Sequence, residues 1–201
     1  MAVHRIIEQR AATHGDLTAI ADEGVSLSYR ELNQRANGVA RHLIANGLRR
    51  GALATVRLPR SPETAVVLLG ILKAGGTYAL IDDAQGSSPD WPAGVAFAQK
   101  ADGDEMRFLA IDVTAALSQP VQSCANLPIL ARGSDVACML PDRNGTPLVL
   151  VPHDAITALQ QHKPVPRIAQ WSGEPGALDL WMALMTGATV TLSGQALETA
   201  A

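Results

Sequence analysis

Cysteine is nearly absent from this chain, and what there is forms no framework. Cys124 and Cys138 are the only thiols in 201 residues; without C-x-x-C spacing they read as free cysteines rather than as a bridge or a thiolate metal site. Lysine is scarce too, at Lys73, Lys100 and Lys163, and the 16 Lys and Arg residues are scattered along a chain of net charge −3. That excludes the basic face of a nucleic-acid binder and the patch that draws a protein to a membrane. The most apolar run, Thr64 to Ala74, falls short of the roughly 20 residues that a spanning helix needs. Met1 to Gln9, with His4, Arg5 and Glu8, reads as an amphipathic stretch rather than a secretory signal, so a cytoplasmic protein is expected. G-x-S-x-G, H-E-x-x-H, G-x-x-x-x-G-K-[ST] and G-x-G-x-x-G are all missing, no internal repeat is visible, and the histidines read as dispersed, with no metal site expected.

What the chain has is apolar content, 47% of residues, enough for one sizeable core without metal or disulfide support. A helix over Val3 to Thr13 leads into short strands at Thr18 to Ala21 and Val25 to Leu27. Ser28-Tyr29-Arg30-Glu31 is a capping box, and Leu32, Ala36, Val39, Ala40 and Leu43 follow at helical spacing as one buried stripe. A strand at Leu53 to Leu58, a helix from Pro62 to Ala74 with Ser61 as its cap and Gly75 as its stop, and a strand at Thr77 to Ile81 predict a right-handed crossover in a parallel sheet. That helix is apolar almost all round, so it must be covered on both sides, by its own sheet and a neighbour or by another chain.

The second half is less regular. Asp83 to Gly94 is rich in Gly, Ser, Pro and Asp and reads as a loop. Strands are expected at Phe108 to Ile111, Leu127 to Leu130, Val136 to Leu140 and Leu148 to Val151, a helical turn at Val113 to Leu117, and a helix from Asp154 onward. Asn144-Gly145 suits a turn joining two strands.

Leu27-Ser28-Tyr29-Arg30-Glu31-Leu32 and Leu72-Lys73-Ala74-Gly75-Gly76-Thr77-Tyr78-Ala79-Leu80-Ile81-Asp82 resemble the first two core motifs of amino-acid adenylation domains of nonribosomal peptide synthetases, members of the adenylate-forming enzyme superfamily. Leu58-Pro59-Arg60-Ser61-Pro62-Glu63 fits the same pattern, which makes the resemblance nearly continuous over residues 4 to 82. It returns weakly at Asp135 to Leu159 and at Asp179 to Leu192. The fold this implies is α/β: a partial adenylate-forming N-terminal fold, a mainly parallel sheet flanked by helices with some antiparallel pairing.

The resemblance also marks a departure. Where the family carries its phosphate loop, Tyr-Thr-Ser-Gly-Ser-Thr-Gly-x-Pro-Lys-Gly, this chain reads Pro141, Asp142, Arg143, Asn144, Gly145, Thr146, Pro147, Leu148 and Val149. Asp142 would repel a triphosphate, Pro141 offers no N–H, and Leu148 stands where the family has lysine. Pro152-His153-Asp154 matches the family's helix start, so His153 reads as a helix-terminus residue rather than a base. Gly173-Glu174 falls over the pair whose aspartate holds the substrate's α-ammonium group, leaving Glu174 as a substrate vestige.

These substitutions lead to the expectation of a single truncated pseudo-adenylation unit over residues 1–201, with 195–201 as a linker, that is not an enzyme and uses no cofactor. It would serve as a structural or docking element. The expected partners are a condensation domain, a carrier protein, an MbtH-like protein or a second copy, met through Val67, Leu69, Leu178, Trp181, Met182 and Met185; no nucleic acid or membrane is expected. Two other readings remain open: a module that binds an amino acid or acyl group without activating it, and a fragment, or one half of a split form, of an ATP-dependent amino-acid adenylating enzyme.

Overall fold

Capping chemistry sets the first helices of the computed structural model, which describes residues 1–22, 24–81, 95–102, 105–118, 123, 125–140, 149–162, 165–171 and 177–192. Helix α1 (Val3–Thr13) buries Val3, His4, Ile7, Glu8 and Ala11. Strands β1 (Thr18–Asp22) and β2 (Val25–Ser28) pair antiparallel. Helix α2 (Tyr29–Ala45) begins with the expected box: the Glu31 N–H donates to the Ser28 hydroxyl, and the Ser28 N–H donates to the Glu31 carboxylate at 2.8 Å. Those two bonds satisfy donors that a helix start leaves open, and the Ser28 N–H and hydroxyl, both donating to the Glu31 carboxylate, hold it below its ordinary pKa. The predicted stripe, Leu32 to Leu43, is buried.

Strand β3 (Leu53–Arg57), helix α3 (Pro62–Lys73) and strand β4 (Thr77–Ile81) form the crossover, with β3 and β4 parallel. The Thr64 N–H donates to the Ser61 hydroxyl, Pro62 opens the helix, and Gly75 leaves it at φ 78°, a conformation that costs glycine nothing. Every residue of α3 except Glu63 is buried, because α1, α2, β1, β2 and β4 all pack against it. The two ways of covering this helix that the sequence left open are thereby resolved in favour of the chain's own elements. Gly70 is where α2 comes closest: a Cβ there would lie 2.6 Å from a methyl of Val39.

The second half contains β5 (Val95–Asp102), β6 (Glu105–Asp112), α4 (Val113–Ser118), β7 (Val136–Leu140), β8 (Val149–Pro152), α5 (His153–His162), β9 (Ile168–Gln170), α6 (Leu178–Thr186) and β10 (Thr189–Thr191). One sheet runs β2-β1-β10-β9; the other runs β6-β5-β3-β4-β7-β8. In the larger sheet β3, β4 and β7 are parallel, and antiparallel strands close both ends. In the smaller, β1, β10 and β9 are parallel, and antiparallel β2 closes one end. The expected α/β architecture is present, but three readings of its elements need correction. Leu127 to Leu130 is not a strand: Pro128 has no N–H for a ladder, and just before it the Asn126 side-chain amide oxygen accepts from the side chains of Asn33 and Asn37 on α2. Strand β5 was not anticipated because its alanines carry little β preference, although β6 pairs with it along its whole length. Strand β9, three residues long, was also missed. Residues 83–94, Asn144-Gly145 and 195–201 lie outside the described residues.

Candidate functional site

Topology places the loops that matter at one rim. Strands β3, β4 and β7 point the same way, so their carboxyl ends lie together, and residues 58–61 leave β3 there. Ligands of open α/β sheets gather at such a rim. Pro141 to Leu148 lie outside the described residues; Val149 is paired with Leu140 at the start of β8 and is exposed. Strands β7 and β8 pair antiparallel. Glu174 is likewise outside the described residues. It precedes α6, whose entry is Ala177, buried and left-handed at φ 55°, a backbone state that costs a non-glycine residue about 1 kcal/mol or more.

At the opposite edge, by the amino ends of β4 and β7, lies a buried polar junction between α1, α3 and α5. The Lys73 ammonium donates to the Glu8 carboxylate at 2.5 Å, and Arg5 reaches the same carboxylate at 2.6 Å. Burial pulls the Lys73 pKa down against the opposing pull of Glu8. Beside this pair the rings of His4 and His153 meet edge to face at 5.7 Å. His153 is the first residue of α5: its Nδ1 accepts the Val3 N–H at 3.3 Å, its own N–H donates to the Asp135 carbonyl, and its Nε2 and the Nδ1 of His4 have no hydrogen-bond partner.

Burial lowers the pKa of His4 to about 3, with His153, Lys73 and Arg5 adding to the effect. Burial also lowers that of His153 to about 4; the amino terminus adds to this, while Asp135 and Asp154 oppose it. Both rings are neutral at pH 7, and His153 is enclosed where no substrate reaches it. The sequence reading of His153 as a helix-terminus residue matches its place. The reading of the histidines as dispersed does not, because the rings of His4 and His153 meet; two polar residues one turn apart on the buried face of α1, His4 and Glu8, were the signal available.

Two further links tie the sheets together. The Tyr29 hydroxyl donates toward the carbonyls of Ala188, at 2.7 Å, and Leu184, at 3.1 Å. The Trp181 indole N–H donates to the Tyr78 hydroxyl at 2.6 Å. Tyr78 also lies beside Cys138, which is a buried free cysteine with its thiol pKa raised by burial to about 11; Cys124 is outside the described residues. These contacts overturn the expectation that Val67, Leu69, Trp181 and Met185 face a partner. All four are completely buried by the chain's own helices and strands; Leu178 and Met182, on α6, are partly buried.

The residues so arranged come largely from the two motifs. A family model described as AMP-binding enzyme matches residues 7–93. Surfactin synthase subunit 2 of Bacillus subtilis (strain 168) is 40% identical over 112 residues, covering 56% of this chain and 3% of that protein. Bacitracin synthase 1 of Bacillus licheniformis is 29% identical over 217 aligned positions, covering 94% of this chain and 4% of that protein. The chain is thus similar to an N-terminal portion of a nonribosomal peptide synthetase adenylation domain.

The fold agrees. The NpsA N-terminal subdomain from Klebsiella oxytoca, solved in complex with 3-hydroxyanthranilyl-AMSN, superimposes with a TM-score of 0.75 at 19% identity, over 98% of this chain and 55% of that one. An artificially fused adenylation–PCP di-domain, NpsA-ThdA, gives 0.72 at 21% identity, over 99% of this chain and 39% of the other. The adenylation portion thus spans about half the length of the solved subdomain and a few per cent of the synthetases it matches.

One expectation fails against these likenesses. The chain was read as not an enzyme, yet the family model that matches residues 7–93 is that of AMP-binding enzymes and the relatives it resembles are synthases. That reading gave a single loop more weight than the matched frame of residues 7–93. Among the described residues no helix is long and apolar enough to cross a membrane, and no group of three or more His, Cys, Asp or Glu could hold a metal ion.

Proposed function

We propose that this chain is the scaffold half of an amino-acid-adenylating unit in nonribosomal peptide synthesis: a structural and docking element, completed by the rest of an adenylation domain. The observation that carries this reading is the preserved polar frame of the two motifs, Ser28–Glu31, Tyr29 to α6 and Lys73–Glu8, in a chain that spans 55% of a solved N-terminal subdomain. Buried polar contacts of this kind fix the relative positions of elements, and a site for in-line displacement depends on such positioning. In this reading residues 1–201 act as one unit, and the neighbours it meets in its assembly are synthetase domains, a condensation domain or a carrier protein among them, or an MbtH-like protein.

Amino-acid-dependent pyrophosphate exchange tests the proposal. The chain is combined with the segment of bacitracin synthase 1 that follows its matched region, and a panel of amino acids is supplied with ATP. Exchange above that of either piece alone supports the scaffold role; a mixture no more active than its separate pieces contradicts it.

A further inference from the structure

Helix α1 starts without a cap of its own. Its N-cap is Ala2, which has no side-chain acceptor, so the first N–H groups of the helix need a partner from elsewhere. One comes from 150 positions away: the Nδ1 of His153 accepts the Val3 N–H at 3.3 Å. His153 is itself fixed by the backbone. Its N–H donates to the Asp135 carbonyl at 3.0 Å and that of Asp154 to the Gly133 carbonyl at 2.8 Å, which anchors the start of α5 and leaves the imidazole for α1.

That contact sets the chemistry of the ring. A nitrogen that accepts carries no proton, so the neutral ring holds its proton on Nε2, a buried atom with no hydrogen-bond partner among the described residues. A second proton can enter only at Nδ1, where it abolishes the acceptor and sets a cation against the N-terminus of a helix. The surroundings are mostly of the same sign. The amino terminus lies close by, α1 adds His4 and Arg5 with Glu8, and α3 adds Lys73, whose charge is met by Glu8. Asp135 and Asp154 oppose them. Strand β8 carries no charged residue, and α6 carries only Asp179.

We infer that His153 is an acid-sensitive latch between the first helix and the second half of the chain: neutral, it caps α1 from outside; protonated, it releases the first turn of α1. Release uncovers Ala2, Val3 and His4, all buried in the latched chain, while the Lys73–Glu8 pair one turn on keeps the rest of α1 in place. An uncovered His153 titrates near its ordinary 6.5 and the latched one near 4, so opening is rare above pH 6.5 and grows as pH falls toward 4. At pH 5.0 the open state should be about 30-fold more populated than at pH 7.5 through His153 alone, and more where His4 is freed with it. The latch works within this chain, whatever completes it.

Amide hydrogen exchange in the full chain, corrected for the intrinsic rate at each pH, tests the latch. Val3 should lose about 30-fold or more of its protection between pH 7.5 and 5.0, and at both it should stay less protected than Leu68 on α3, the mark of a local opening. His153→Asn keeps an acceptor near the place of Nδ1 but does not titrate, so over the same range it should lose about 30-fold less than the parent. Circular dichroism verifies that this variant is folded. Nitrogen NMR of the parent imidazoles needs no variant: at pH 7.5 His153 should be in its Nε2–H tautomer. Unchanged Val3 protection in the parent, equal losses in the parent and in folded His153→Asn, equal protection of Val3 and Leu68, or an Nδ1–H tautomer of His153 would each overturn the latch.

Discussion

Helix α3 and strand β9 are both apolar elements of the same chain, and they differ in who covers them. Residues 62–73 are surrounded by two sheets and two helices, and even their lysine is neutralised from within. Residues 168–170 are held on one side only. A sequence pattern reports that an element wants cover, not whether the chain itself supplies it; α3 was expected to need a neighbour and has one inside, while β9 went unnoticed and is open. The difference locates stability in the first motif-bearing stretch and availability in the second half.

The largest effect that can sharpen this contrast is at the buried ion pair. Glu8→Ala leaves the Lys73 ammonium unpartnered inside the α1–α3 junction and should cost about 3–5 kcal/mol in urea unfolding; Lys73→Ala, which leaves Glu8 paired with Arg5, should cost less, and the double change Glu8→Leu with Lys73→Met should recover most of the loss. If each single variant unfolds like the parent, the junction does not hold α3 in place.

Acid should act next, through His4 and His153. Their folded pKa values, about 3 and about 4, lie below the unfolded value of 6.5, so the unfolded chain binds the protons first as pH falls. Stability is full above about pH 6.5 and declines toward pH 4, by about 2 kcal/mol per histidine at pH 5. Denaturant midpoints at pH 7.5 and 5.0 should show this decline, and a combined His4→Gln, His153→Gln variant should be flatter across the same range.

A smaller loss, about 1–3 kcal/mol, is expected from Gly70→Ala, because the added carbon would press on Val39 at 2.6 Å where α2 and α3 are closest. On the open side, Leu150→Thr on edge strand β8, where Leu150 is 54% exposed, should shift stability by no more than about 0.5 kcal/mol. A larger loss there than at Gly70 would reverse the comparison.

Local signals made the first half legible. A hydroxyl three residues before a glutamate, a proline one residue into a helix, and a glycine after one each have a single structural use, and the helices and strands from Val3 to Ile81 follow from them. The second half depended on pairing that no local pattern announces: β5 is a strand because β6 lies beside it, and β9 because β10 does. The polar junction was hidden for a similar reason. Glu8 and Lys73 are 65 positions apart, and only the packing of α1 on α3 turns two charges into one neutral pair. The altered residues Pro141 to Leu148 drew attention away from residues 7–93, the stretch that matches the AMP-binding enzyme family.

The most direct test of the scaffold role is a titration. Increasing amounts of this chain are added to a fixed amount of the following bacitracin synthase 1 segment, and amino-acid-dependent pyrophosphate exchange is followed at each point. The account predicts a rise that saturates at one chain per segment; exchange that stays at the level of the segment alone across the whole titration would contradict it.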